Sequence, residues 1–158
     1  MVQVFVTGGF FDGDLGGLAG ADTICTNAAA AASLSGNWTA WLSDGTTNAI
    51  DRIDDGEYQL LDETVVAENK AELTDGTLDA TINLTESQNT IGDGQNVWTA
   101  TDSTGVETGG SCQGWSTNVD TQSGRIGETG GLDATWTDVG AGNACQNTNH
   151  LYCFEDVE

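Results

Sequence analysis

Four cysteines constrain this chain more than any other feature. They stand at Cys25, Cys112, Cys145 and Cys153, and no two of them form a Cys-x-x-Cys pair. An even number at wide spacing predicts a disulfide framework, and the missing paired motif argues against a zinc ribbon or a thioredoxin-type redox site. Four cysteines allow three pairings, and spacing alone does not choose among them. Disulfides belong outside a reducing cytosol, so a secreted or cell-surface location is expected. The opening Met1-Val-Gln-Val-Phe-Val has no basic leader, which places any export signal or anchor outside this stretch.

The loops between the cysteines follow from composition. In 158 residues there are 22 glycines and no proline. A length of this order suits one domain, spanning 1–158, with irregular connections rather than a helical bundle. The balance of 25 acidic against 3 basic residues, net −22, argues against nucleic acid, whose phosphates need clustered cations. Arg52, Lys70 and Arg125 are scattered. An anionic membrane surface is disfavoured for the same reason, and no apolar run is long enough for membrane insertion. The acid excess predicts a solvated surface adapted to a salty, halophilic medium, with cation binding as the competing reading.

Along the chain, Val2, Val4 and Val6 alternate into a strand ending at Gly8-Gly9. Leu18, Ala21, Cys25 and Ala28 or Ala29 recur at helical spacing and predict a main helix from about Gly16 to Leu34, stopped by Gly36, with Cys25 on its buried face. Trp38 to Leu42 reads as a buried strand and Asn48 to Ile53 as a short helix. Tyr58 to Leu61 and Thr64 to Ala67 read as a hairpin across Asp62-Glu63, and Asn69 to Leu73 as one helical turn. Thr81 to Leu84 and Val97 to Ala100 are further strand candidates. The remainder of the second half reads mostly as loop. These elements make an α+β fold of one main helix on short, irregular antiparallel strands.

Several blocks together resemble a known family. They are Gly20-Ala-Asp-x-x-Cys25, Leu34-x-Gly36, Ala40-Trp-Leu-Ser43, Val97-Trp98, Cys112-x-x-Trp115 and Leu151-Tyr-Cys-Phe-Glu155. In that order they resemble the endostatin-like domain, above all its bacterial branch, the leptospiral endostatin-like lipoproteins and related domains of unknown function. Ala40-Trp-Leu-Ser-Asp44 and Leu73-Thr-Asp-Gly-Thr-Leu78 carry the bacterial likeness. The tail, Trp136-Thr-Asp138-Val139, Cys145 and Tyr152-Cys-Phe-Glu155, is similar to the ending of C-type lectins. The resemblance covers about residues 4 to 155 and implies a C-type-lectin-like fold. It also implies the pairings Cys25–Cys153 and Cys112–Cys145.

The family's known chemistry does not carry over whole. Sugar-binding C-type lectins hold calcium through a proline-containing loop that this chain lacks, and Thr137 stands where they have an asparagine; Asp138 alone matches. Endostatin's zinc histidines and heparin arginines have no counterpart here, since His150 is the one histidine. Calcium remains the cofactor to test, with Asp75, Asp79, Asn83 and Glu86 offering hard oxygens within a dozen residues, joined by Asp138. Asp12 and Asp14 form a second set. Against both stands the reading that these are turn residues bonding their own backbone. Trp38 is a candidate carbohydrate-stacking platform as well as a candidate core residue. No nucleophile motif marks an enzyme.

The function expected is therefore a non-catalytic binding or adhesion domain at the cell surface or outside it. It presents loops from about 85 to 144 to an extracellular protein or glycan. Two alternatives are a subunit of a surface layer, filament or virion-like assembly, self-assembling by strand addition at Val2 to Val6, and a glycan-acting enzyme using a carboxylate pair.

Overall fold

The structure is a computed structural model that describes residues 1–157; Glu158, the last residue of the expected domain, lies outside the described residues. It is an α+β fold of one main helix and two sheets. Strand β1 (Val2–Val6) leads to helix α1 (Gly17–Ala31), then β2 (Trp38–Ala40), the hairpin β3 (Tyr58–Leu60) and β4 (Val65–Ala67), and the single turn α2 (Lys70–Leu73). The second half adds β5 (Asn96–Trp98), β6 (Ser123–Glu128) and β7 (Gly142–Ala144). It then returns to the first sheet as β8 (Tyr152–Glu155).

The first sheet runs β2-β8-β1-β3-β4. Its middle is β1, antiparallel to β8 with Val4 opposite Phe154, and parallel to β3 with Val2 opposite Tyr58. Two expectations are corrected here. The strands are not all antiparallel, and Val2 to Val6 is no edge available for assembly. The reason is visible in its side chains: Phe5 is buried as well as Val4 and Val6, so both faces of the strand are covered, as for a central strand.

The true edges are occupied from within. α1 lies along β2 and turns Asp22 and Thr26, one helical turn apart, toward it. The Ala40 N–H donates to Asp22 Oδ1 at 2.9 Å and the Trp38 N–H to Thr26 Oγ1 at 3.0 Å. Arg52 closes the same edge, giving Asp22 a two-toothed pair at 2.7 and 2.6 Å and donating to the Ala40 carbonyl at 2.6 Å. On β4 the Val66 carbonyl takes the Asp79 N–H at 2.9 Å. Edges filled by side chains and loops offer little to a neighbouring strand.

α1 ends three residues before the expected Leu34, without glycine. Ser33 takes the left-handed conformation (φ 65°), and the Ser33 and Leu34 N–H groups close back on the carbonyls of Ala30 and Ala29. That is a Schellman cap, with Leu34 packing against the core as its apolar lock. Cys25 on the buried face is joined to Cys153 of β8 across 128 residues, and Cys112 to Cys145 across 33.

The second sheet, order β5-β6-β7, is the other correction, since this region reads as mostly loop in the sequence. Strand Ser123–Glu128 contains glycines where side chains would collide. A Cβ on Gly124 would lie 2.9 Å from the Trp98 ring and 3.0 Å from that of Trp115. One on Gly127 would lie 2.2 Å from the Trp136 carbonyl. Two indoles fill the space beside Gly124, and the main chain of Trp136 and Thr137 fills it beside Gly127. The expected strand Thr81 to Leu84 is reduced to a single bridge between Leu84 and Thr90. Buried residues of both sheets join in one core cluster.

Candidate functional site

Of the residues expected to hold calcium, Asp75, Glu86 and Asp138 spend carboxylate oxygens on partners within the chain. Asp75 Oδ1 accepts the N–H and the hydroxyl of Thr77 at 2.9 and 3.0 Å. Glu86 accepts the Gly8 N–H at 2.8 Å. Asp138 pairs with Arg125 at 3.0 Å and takes the Gly140 N–H at 2.8 Å. Asp12 takes the Asp14 N–H and the Asn118 amide. Asp79, with Asp75, lines an open hollow that also includes Glu68 and Glu72, whereas Asn83 accepts the Ile91 N–H with its carbonyl. Among the described residues no three His, Cys, Asp or Glu side chains form a group suited to a metal ion. Thr137, at the lectin asparagine position, is fully buried. Its hydroxyl accepts the Trp41 indole N–H at 2.8 Å and donates to the Thr101 carbonyl at 2.9 Å.

What the sequence pattern holds instead is a repeated turn. At Asp44, Asp62, Asp75, Asp102 and Asp133 a carboxylate oxygen accepts the N–H of a threonine two residues on, and the threonine hydroxyl is turned to the same carboxylate. The hydrogen bonds have an electrostatic consequence. The Thr64 hydroxyl and N–H hold the Asp62 carboxyl below the ordinary carboxylate value, and those of Thr135 do the same for Asp133. For Asp44 burial pushes the value up, but the Thr46 and Thr47 N–H groups, the Thr46 hydroxyl and nearby Arg52 more than offset it and leave it lowered.

Trp38 is a correction too. It is 1 % exposed, its ring packs on Phe5 with centroids 4.9 Å apart, and its indole N–H donates to the Ser35 carbonyl. A ring beneath the surface offers no face to a sugar. The other four tryptophans are core as expected, three of them with bonded indoles: Trp41 on Thr137, Trp98 on the Phe11 carbonyl at 2.7 Å and Trp115 on the Ser43 carbonyl at 2.8 Å.

The exposed ring belongs to Phe10, 60 % accessible, in the turn after β1. It stands over a hollow of about 260 Å³ lined by Gln95, Asn96, Thr148, Asn149 and His150, with Gly94 beside them. Three chain segments meet there, and backbone bonds lock them side by side. Phe11 and Asn149 exchange both N–H···O bonds, at 2.8 and 2.9 Å. The His150 N–H donates to the Asn96 carbonyl, and the Trp98 N–H returns to the His150 carbonyl, both at 3.0 Å. The hollow thus sits at the seam where β5 of the second sheet meets the approach to β8 of the first. His150 is buried. Its Nδ1 faces the carbonyls of Thr7 at 2.7 Å and Gly9 at 3.1 Å, so Nδ1 carries the proton, and its ring meets that of Phe10 edge-on at 4.8 Å. His150 is thus the post that holds the Phe10 turn in place.

In the sequence, Phe10 reads only as part of an acidic turn. The available signal is the doublet Phe10-Phe11 between glycines and aspartates, where one ring packs against the core and the other cannot.

Comparison with known proteins supplies the family. No curated protein matches the chain. A family model described as "Protein of unknown function (DUF1554)" matches residues 8–132, most of the chain. It takes in α1, the β3–β4 hairpin and the second sheet as far as β6. By that match the chain belongs to the DUF1554 family of proteins of unknown function.

Proposed function

We propose that this chain is a non-catalytic recognition domain working outside the reducing cytosol, built on an endostatin-like, C-type-lectin-like plan. Its partner is an extracellular protein or glycan. Two disulfides, one closing most of the chain and one closing the stretch that holds β6 and β7, support an oxidising location. Among the described residues no helix is long and apolar enough to cross a membrane.

The observation that carries the reading is the character of the connections within 85–144. They are long and largely polar, but Val106, Val119 and Leu132 stand out into solvent at 41, 45 and 50 % exposure. Apolar side chains held outward on a cross-linked scaffold supply contact area at little ordering cost.

The test is adhesion of the labelled domain to an immobilised panel of extracellular proteins and oligosaccharides. The triple variant Val106→Ser, Val119→Ser, Leu132→Ser is compared at unchanged melting temperature. At least a tenfold loss of binding to a protein on the panel supports the reading; protein binding that ignores all three substitutions, with no oligosaccharide bound, removes it.

A further inference from the structure

We infer that the Phe10 hollow is a subsite for a neutral saccharide, bound without a metal ion. The inference deepens the recognition reading above and rests on it.

The first observation is chemical selection. The chain carries 25 acidic residues, yet no carboxylate lines this hollow. The lining is amide, hydroxyl, imidazole and one phenyl ring. A net charge of −22 repels anions approaching any part of the surface, and a wall without carboxylates has nothing to hold a cation. The ligand that fits is polar and uncharged.

The second observation is the ring. Among the described residues Phe10 is the aromatic side chain left largely open to solvent, although the seam beside it buries Trp98 and Tyr152 completely. An exposed aromatic over a polar hollow has a use when the ligand is amphipathic across its own thickness. A sugar ring is: one face carries C–H groups and the rim carries hydroxyls. The phenyl face takes the first, and the amides of Gln95 and Asn96, each with two donors and an acceptor, take pairs of the second.

The third observation is an unspent donor. Asn149 is 4 % exposed and lines the hollow. Its Oδ1 accepts from Asn143 at 3.3 Å, while its Nδ2 has no partner among the described residues. A buried amide donor left over costs free energy unless something answers it, and a small turn of the Asn149 amide brings this one to the hollow that its residue lines.

The fourth is rigidity. The backbone bonds between Phe11 and Asn149 and among Asn96, Trp98 and His150 fix the three lining segments before any ligand arrives. The same bonds argue against a peptide docking by strand addition, because Phe11 and Asn149 already spend their N–H and C=O groups on each other.

The test uses an array of neutral oligosaccharides built from hexoses and N-acetylhexosamines, with sulfated and sialylated ones as the charged arm. It is followed by amide NMR titration of the whole chain in the presence of chelator. The expected result is binding of a neutral oligosaccharide that shifts the amide signals of Gly94 to Asn96 and Thr148 to His150 and is unaffected by chelator. Phe10→Ala should weaken it at least tenfold and Gln95→Ala about threefold, at unchanged melting temperature. Binding confined to charged glycans, binding that Phe10→Ala leaves intact, or no shift at those amides overturns the subsite. If a protein partner binds and the Val106, Val119 and Leu132 variant abolishes that binding, while no neutral oligosaccharide binds, the recognition reading survives and this subsite does not. If no probe binds at all, both fall.

Discussion

The two sheets are built from different materials. The first is closed by apolar strands: Val4-Phe5-Val6 in its middle, Tyr152-Cys-Phe154 beside it, α1 along one edge and a disulfide tying α1 to β8. The second has little apolar strand of its own. β6 is Ser-Gly-Arg-Ile-Gly-Glu, and β7 is Gly-Asn-Ala. It is held by what packs on it: the Trp98–Trp115 ring pair at 5.5 Å, the main chain of Trp136 and Thr137 against Gly127, and the shorter disulfide loop. One sheet is a conventional core strand by strand. The other is a set of indoles with backbone laid across them. The difference teaches that a stretch can be rigid without the sequence pattern of a strand.

The comparison can be broken most directly at its covalent ties. Replacing Cys25 and Cys153 by serine should cost about 5 kcal/mol in the chain-entropy treatment of cross-links, against about 4 for Cys112 and Cys145. Denaturant titration measures both. The sharper readout is hydrogen exchange: the first pair should expose both sheets together, whereas the second should release β5, β6 and β7 while β1 and β8 stay protected. Equal patterns would erase the distinction between the sheets.

A smaller effect is expected from Gly127→Ala or Gly124→Ala, about 1–3 kcal/mol each as an added methyl meets Trp136 or the Trp98 and Trp115 rings. Near-UV circular dichroism should lose tryptophan signal in the same variants; unchanged spectra would mean that the indoles do not depend on the glycines. On the first sheet, Asp22→Ala removes the carboxylate shared by Arg52 and the Ala40 N–H, and should cost about 1.5–3 kcal/mol by chemical denaturation.

The smallest effects are electrostatic. Asp44, Asp62 and Asp133 are all held below the ordinary carboxylate value when folded. The unfolded chain therefore binds protons more readily, so their contribution is whole above about pH 4 and is lost as pH falls through the folded values. Melting temperature followed from pH 6 to pH 2 should fall less steeply in the triple Asn variant than in the parent. A slope that is the same in both would deny these turns any role. Melting temperature at pH 7 should also rise with salt, since net charge −22 repels itself and salt screens that repulsion.

Much of the first sheet was legible in the sequence. The valine alternation, the helix spacing through Cys25, the hairpin at Asp62-Glu63 and the turn capped by Asn69 all state local rules that the fold obeys. The position of β1 was misread because alternation alone suggests a half-covered strand, whereas the uninterrupted Val4-Phe5-Val6 marks one covered on both faces. β6 was not legible, because the tryptophans packed on it come from other stretches, Trp98 as far off as the preceding strand β5, and its own residues show one buried apolar side chain, Ile126. The hollow was missed for a related reason. Its walls come from three stretches near the start, middle and end of the chain, and no local pattern announces a meeting of Phe10 with Gln95 and His150.

The place of β1 between β3 and β8 has a consequence for how the molecule comes into being. Val4 finds one neighbour in Leu60 and the other only in Phe154. Of the strands of this sheet β1 is made first, and it stays half-zipped until β8 has followed it. Topology of that kind makes folding slow and late. Until β8 is made, the central sheet lacks one side and Cys25 on α1 lacks its partner, so pairing and cross-linking of this sheet complete together.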